Sequence, residues 1–233
     1  LRLVGSEMCI RDRAIRTLAS SEFDLSQIES IYGILQSNDS TLWLATGGNG
    51  LFRLHFDRRY AGEYRVTSLV NYRFTGEPGG IKGNVIYDMV MQGDSTLWVT
   101  TRGGGLNRLD LRTGSFTGYD SGVSASEICS NDVICLYVDR KDRLWVGTSA
   151  GLNCLEDVNA PVFKHYTESN GLANSNIHAI LEDAEGYIWV STNKGLSRMD
   201  VQHETFVHYF YSDGLQDNEF SDGAASVSYT HLR

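Results

Sequence analysis

Apolar positions along this chain recur in a fixed phrase. A pair of apolar residues three apart is followed, nine residues after its second member, by tryptophan inside a short apolar run. The pairs are Ile31 and Ile34, Ile86 and Met89, Val133 and Leu136, and Ile177 and Ile180. The runs are Leu42–Thr46, Leu97–Thr101, Leu144–Thr148 and Ile188–Thr192, which hold Trp43, Trp98, Trp145 and Trp189. Gly-Leu follows each run, at Gly50-Leu51, Gly105-Leu106, Gly151-Leu152 and Gly195-Leu196. The tryptophans lie 55, 47 and 44 residues apart, near the ~40–50 residues of a four-stranded propeller blade.

Within a repeat the pattern reads as strands. The apolar pair marks the first, innermost strand, whose first few residues are expected to be the most buried because inner strands crowd about a ring axis. A polar turn follows, such as Asp139–Asp142 or Asp183–Gly186, built from residues whose side chains bond their own backbone. The tryptophan run is the second strand. A turn, Gly-rich in the first two copies (Gly47–Gly50, Gly103–Gly105), leads to a third strand such as Leu51–His55 or Leu106–Asp110. The fourth carries an aromatic pair: Phe116 and Tyr119, Phe163 and Tyr166, Phe206 and Tyr209. Helical periodicity is lacking, so each copy predicts one antiparallel blade. The fold class is all-β, a partial β-propeller of about four blades from a ring of seven, whose first and last blades present uncovered edges.

Composition sharpens this picture. With 24 glycines, two prolines and 41% hydrophobic residues, the chain suits a turn-rich β fold with a real core. A net charge of −9 without a basic stripe argues against nucleic acid as a partner. The longest apolar run is far short of the ~20 residues that span a bilayer. Cys9, Cys129, Cys135 and Cys154 lack metal-binding spacing and read as free thiols. Residues 1–13 and 227–233 fall outside the repeat and read as non-native, adapter-derived tails flanking a propeller region at 14–226. A further blade is expected to open at 212–226.

The pattern Asn-x-Ile-x-x-Ile-x-x-Asp-x-x-Gly-x-Ile-Trp-Val-x-Thr-x-x-Gly-Leu, nearly complete over Asn176–Leu196, resembles the two-component regulator propeller repeat. Ser212–Ala224 resembles the stretch that opens the last blade in that family. The departures are Ala45, Thr100 and Ser191 where Gly147 stands in the third copy, and an insertion at Asp57–Val66. The resemblance implies the sensor region of a hybrid two-component histidine kinase, periplasmic and anchored in the inner membrane. It further implies an oligosaccharide ligand, a dimeric parent, and a kinase module that feeds a phosphorelay controlling transcription.

The candidate chemistry is that of binding. The six histidines form no metal or triad pattern, and Gly103–Gly105 lacks the Gly-Lys-Ser/Thr ending of a phosphate loop. Catalytic residues, metal ligands and cofactors are therefore not expected, and the fragment is read as non-enzymatic. The tryptophans are expected to pack between blades, and Thr46, Thr101, Thr148 and Thr192 to bond within them. By propeller topology, the loop entering each innermost strand shares a face with the turn between strands two and three. That places Asn49, Arg102, Ser149, Asn193 and Lys194 together as ligand-binding candidates, with Arg102 suited to a carboxylate or sulfate. Asn84, Asn131 and Asn176 are expected to cap the loop-to-strand turns. Two rival readings are a propeller lyase of the streptogramin-lyase type and a protein-interaction scaffold.

Overall fold

The computed structural model describes residues 26–58, 64–122 and 127–220. The two tails at 1–13 and 227–233, and the expected blade start beyond residue 220, lie outside the described residues.

Four separate four-stranded antiparallel sheets follow one another along the chain, each in simple sequential order. The first holds β1 (Ile31–Asn38), β2 (Thr41–Thr46), β3 (Leu51–Arg58) and β4 (Tyr64–Tyr72). The second holds β5 (Met89–Gln92), β6 (Thr96–Thr101), β7 (Gly105–Asp110) and β8 (Phe116–Tyr119). The third holds β9 (Val133–Val138), β10 (Leu144–Thr148), β11 (Gly151–Leu155) and β12 (Phe163–Tyr166). The fourth holds β13 (Ile177–Glu182), β14 (Ile188–Thr192), β15 (Gly195–Asp200) and β16 (Thr205–Tyr209). The only helical turns among the described residues are single 3₁₀ turns at Glu168–Asn170 and Tyr211–Asp213. The first strands β1, β5, β9 and β13 neighbour one another in succession, so the sheets stand radially about a common axis.

The tryptophans fill the gaps between sheets. Trp43 packs among Ile86, Met89, Leu97 and Val99 of the second blade. Trp98 meets Val133, Leu136 and Val146 of the third, and Trp145 meets Ile177, Ile180 and Val190 of the fourth. These three are at most 1% exposed, whereas Trp189, on the far face of the last blade, is half-buried. An aromatic relay accompanies each indole. Trp43 stacks on Tyr72, whose ring is met edge-on by Phe116 of the next blade. Trp98–Tyr119–Phe163 and Trp145–Tyr166–Phe206 repeat the arrangement. Each such ring pair adds ~0.5–1.5 kcal/mol beyond the area it buries.

The polar turn before the tryptophan strand has a second task. The residue six positions before each tryptophan accepts the indole N–H: Ser37 Oγ at 3.2 Å, Gln92 Oε1 at 2.8 Å, Asp139 Oδ2 at 2.8 Å and Asp183 Oδ2 at 2.7 Å. Asp139 and Asp183 also accept backbone N–H groups of their own turns, so one carboxylate shapes the turn and satisfies a buried donor. The threonine that ends each second strand donates to the glycine carbonyl across the following turn, at 2.7–3.1 Å in all four blades. The glycine itself is obligatory at Gly50, Gly105 and Gly195. Each has φ between 71° and 85°, and a Cβ there would collide with the carbonyl of Tyr72, Tyr119 or Tyr209.

The expected burial of each innermost strand's first residues holds in β13, where Ile177–Ile180 are buried, and fails in β1, which alternates half-buried and exposed; β6 and β10 are buried throughout. A second strand is flanked within its sheet on both edges and, between blades, covered on both faces. An innermost strand leaves one edge to the axis, and among the described residues β1 has a neighbouring blade on one face only. The insertion at Asp57–Val66 lengthens the β3–β4 hairpin, whose pairing continues to Arg58 and Tyr64.

Candidate functional site

One face of the array is built by repetition. In three blades the glycine after the second-strand turn donates its N–H to the carbonyl of a residue in the loop entering the next blade: Gly50 to Asn84, Gly105 to Asn131 and Gly195 to Asn218. The side chains of the same asparagines accept the N–H two residues beyond the fourth-strand tyrosine: Phe74, Ser121 and Tyr211. Asn84 and Asn131 thus clasp the end of one blade to the start of the next. Asn218 makes the same two bonds after the fourth blade and was not singled out by the sequence pattern. Asn176 was, and that expectation is corrected. At the third junction the clasp is Ser175, whose Oγ accepts the Glu168 N–H at 3.3 Å. Asn176 stands one residue later, with its Oδ1 buried and without a hydrogen bond.

The innermost strands carry a bulge on this face. In β1, β9 and β13 one extra residue interrupts the ladder at Tyr32, Ile134 and His178. In the second blade Arg102 N bonds Val85 O and Thr100 N bonds Asp88 O, which leaves Ile86 and Tyr87 opposite Thr101 alone. Bulges re-aim side chains. Here they send Tyr32 over Gly47 and onto Tyr87, with ring centroids 6.1 Å apart and planes 11° from parallel. His178 Nε2–H likewise reaches back to Asn193 Oδ1 at 2.5 Å. The result is a mouth lined by one bulged side chain and one turn residue per blade. Sequence reasoning missed the bulged residues, although each lies eleven positions before its tryptophan.

The five candidates share this face but not one environment. Asn49 is a half-buried turn residue, held by the Thr46 hydroxyl and the Gln27 carbonyl. Ser149 is exposed and pairs with Ser130 at 3.0 Å. Asn193 is held by His178. Arg102 and Lys194 are exposed, and among the described residues neither side chain has a hydrogen-bond or ion-pair partner. Beside Arg102, across an isolated bridge, lies Asp132, whose Oδ1 is buried and likewise without a hydrogen bond. The mouth therefore offers an unpaired guanidinium at Arg102, an exposed ammonium at Lys194 and a stacked pair of tyrosines.

Below the mouth, Asp88 joins two blades. Its Oδ1 accepts the Met89 N–H at 2.8 Å and its Oδ2 the Leu136 N–H of the adjoining innermost strand at 2.9 Å. Burial raises its pKa to about 6, against a smaller lowering by those two bonds. Burial likewise raises the thiols of Cys129 and Cys154 to about 11 and 12, far from a reactive thiolate. Cys129, Cys135 and Cys154 are free. Among the described residues no three His, Cys, Asp or Glu side chains converge as a metal site would require.

Residues 127–150 and 171–194 match the two-component regulator propeller family, each segment running from the loop entering a blade to just past its tryptophan strand. These two segments are two-component regulator propeller repeats. Histidine kinase P4 of Formosa agariphila is 26% identical over 191 residues, an alignment that takes in 60% of this chain and 14% of the kinase. The repeats here thus span a small part of that relative's length. The extracellular domain of a hybrid two-component system from B. thetaiotaomicron superposes with a TM-score of 0.67 at 22% identity, over 82% of this chain and 26% of the other. A catalytically inactive virginiamycin B lyase from Staphylococcus aureus superposes at 0.58 and 16% identity, over 82% and 58% of the two chains. At such identities both superpositions speak for the propeller fold.

Proposed function

We propose that these repeats are the ligand-sensing region of a hybrid two-component histidine kinase, displayed in the periplasm of a membrane-anchored, dimeric parent. The ligand is an oligosaccharide that docks at the mouth, and its binding feeds a phosphorelay controlling transcription. The observation that carries this reading is the family match at two repeats, in a chain whose four blades all place a turn on one face. The kinase relative and the extracellular neighbour agree with it. Rigid sheets with variable turns suit binding without catalysis. Ligand binding would switch such a parent only by favouring one signalling state over another.

Two experiments test this. Recovery of the complete gene is expected to show a membrane helix and a kinase core downstream; a stop soon after further blades would overturn the sensor reading. In the intact sensor, Arg102→Ala is expected to weaken an acidic oligosaccharide about tenfold, near 1.4 kcal/mol, the scale of a charge-assisted contact. Unchanged calorimetric affinity would remove Arg102 from the site.

A further inference from the structure

A cavity of about 580 Å³ opens on the flank of the second blade, bounded on its mouth side by the Gly103–Gly104 turn and Asn131. Its wall is the Gly-rich connector between the first two blades, which carries Phe74 and Glu77; its floor holds Lys82, Asp120 and Asn131. The volume falls in the ~300–1,000 Å³ range of small-molecule sites.

The connector is pinned at several points, which makes the cavity a built feature. Gly79 O accepts the Phe116 N–H of the outermost strand at 2.9 Å, and the Lys82 N–H donates to Asn107 Oδ1 at 3.0 Å. The Lys82 side chain then lies across Gly118, where a Cβ would collide with it, and its ammonium pairs with Asp120 Oδ2.

What stays unpaired defines the occupant. Lys82 is already neutralised by Asp120. The Glu77 carboxylate and the second oxygen of Asp120 have no hydrogen bond or ion pair among the described residues. The lining thus carries one net negative charge within a chain of net charge −9. Phe74 stands over the opening with 52% of its surface exposed, a ring face suited to a cation. Asn131 spends its Oδ1 on the Ser121 N–H, which leaves its amide N–H groups as donors beside the remaining protons of Lys82.

We propose that this flank cavity binds a small organic ammonium that also carries oxygen acceptors. The amine sits between Glu77, Asp120 and the Phe74 ring, and the oxygens face Lys82 and Asn131. The cavity adjoins the mouth at the Gly103–Gly104 turn, but the groups that would hold the amine belong to the connector and to Asp120, so the proposal stands whether or not the mouth takes an oligosaccharide.

Three probes on one scaffold test it by calorimetry on the 233-residue chain: glucosamine, glucose and glucuronate. Glucosamine is expected to bind at least tenfold more tightly than either of the others. Glu77→Gln and Phe74→Ala, both at exposed positions, are expected to weaken it tenfold or more, while Arg102→Ala leaves it unchanged. Equal binding of glucose, tighter binding of glucuronate, or no binding of glucosamine would overturn the proposal. So would glucosamine binding that survives both cavity variants but is lost in Arg102→Ala, since that places the amine at the mouth.

Discussion

At the scale of single residues, the tryptophan is the piece on which each blade junction turns. Trp145 is fully buried between the third and fourth blades, with its N–H capped by Asp139 and the Arg143 guanidinium 5.6 Å from its ring centre. Trp145→Ala is therefore expected to cost ~3–5 kcal/mol, the range for removing a large buried aromatic, as read from urea unfolding. A cost below ~1 kcal/mol would mean the indole was never packed. The tryptophan's packing role was legible because its flanking residues are apolar in every copy. Its polar surroundings were not. The capping residue varies among Ser37, Gln92, Asp139 and Asp183, and only its distance from the tryptophan is constant. The cation over the ring comes from the facing strand at Arg53, Arg108 and Arg198. In the third blade Cys154 takes that facing position and Arg143 reaches over from the turn.

At the scale of elements, strand order and turn positions followed from the repeat, because alternation and turn chemistry are local. The bulges did not. A bulge is a mismatch between two strands, and the extra residues Tyr32, Ile134 and His178 share no side-chain type that would mark one. The clasp was legible by distance and not by residue type: Asn84, Asn131 and Ser175 each stand fourteen residues before their tryptophan, and Asn176 stands thirteen before. Asp88 is the element-level exception with a measurable consequence. The equivalent residues in the other innermost strands are Gly33, Cys135 and Ala179, none of which carries charge. The groups bonded to the Asp88 carboxylate are the backbone N–H groups of Met89 and Leu136, and Thr100 Oγ1 receives its own N–H; none of these is charged. Its pKa is raised from 3.8 to about 6, so between those values the folded protein holds a proton the unfolded chain has released. Its contribution to stability is therefore present below about pH 4, declines as pH rises through 6, and is flat above. Subtracting the melting curve of Asp88→Asn from that of the wild type should expose this slope. A difference constant from pH 4 to 7 would mean that the carboxylate ionises as it does in water.

At the scale of the molecule, the four sheets form an arc in which three junctions repeat one design, and the fourth blade presents the same face uncovered. Trp189 stacks on Tyr209 there, but among the described residues no phenylalanine completes the relay, and Val207, Phe210 and Tyr211 stand exposed. Iodide should quench the wild type markedly more than Trp189→Phe, which lacks the half-buried indole. Equal quenching would mean that the last face is already covered. The radial arrangement was legible from four tandem copies, since a sheet apolar on both faces needs a neighbour on each. The flank cavity was not, because it depends on how one connector arches over glycines that the sequence presents only as flexible.

The asparagine and serine clasps carry a consequence for how such arrays can change. Each connector is gripped at both ends: two residues after the tyrosine, and again where the next blade begins. The first two connectors run twelve residues from tyrosine to clasp and the third runs nine, yet the sheets on either side meet in the same way. A segment anchored so close to its two ends can be lengthened, shortened or exchanged without telling the neighbouring sheets, and so new specificities can be written between the anchors while the arc keeps its shape.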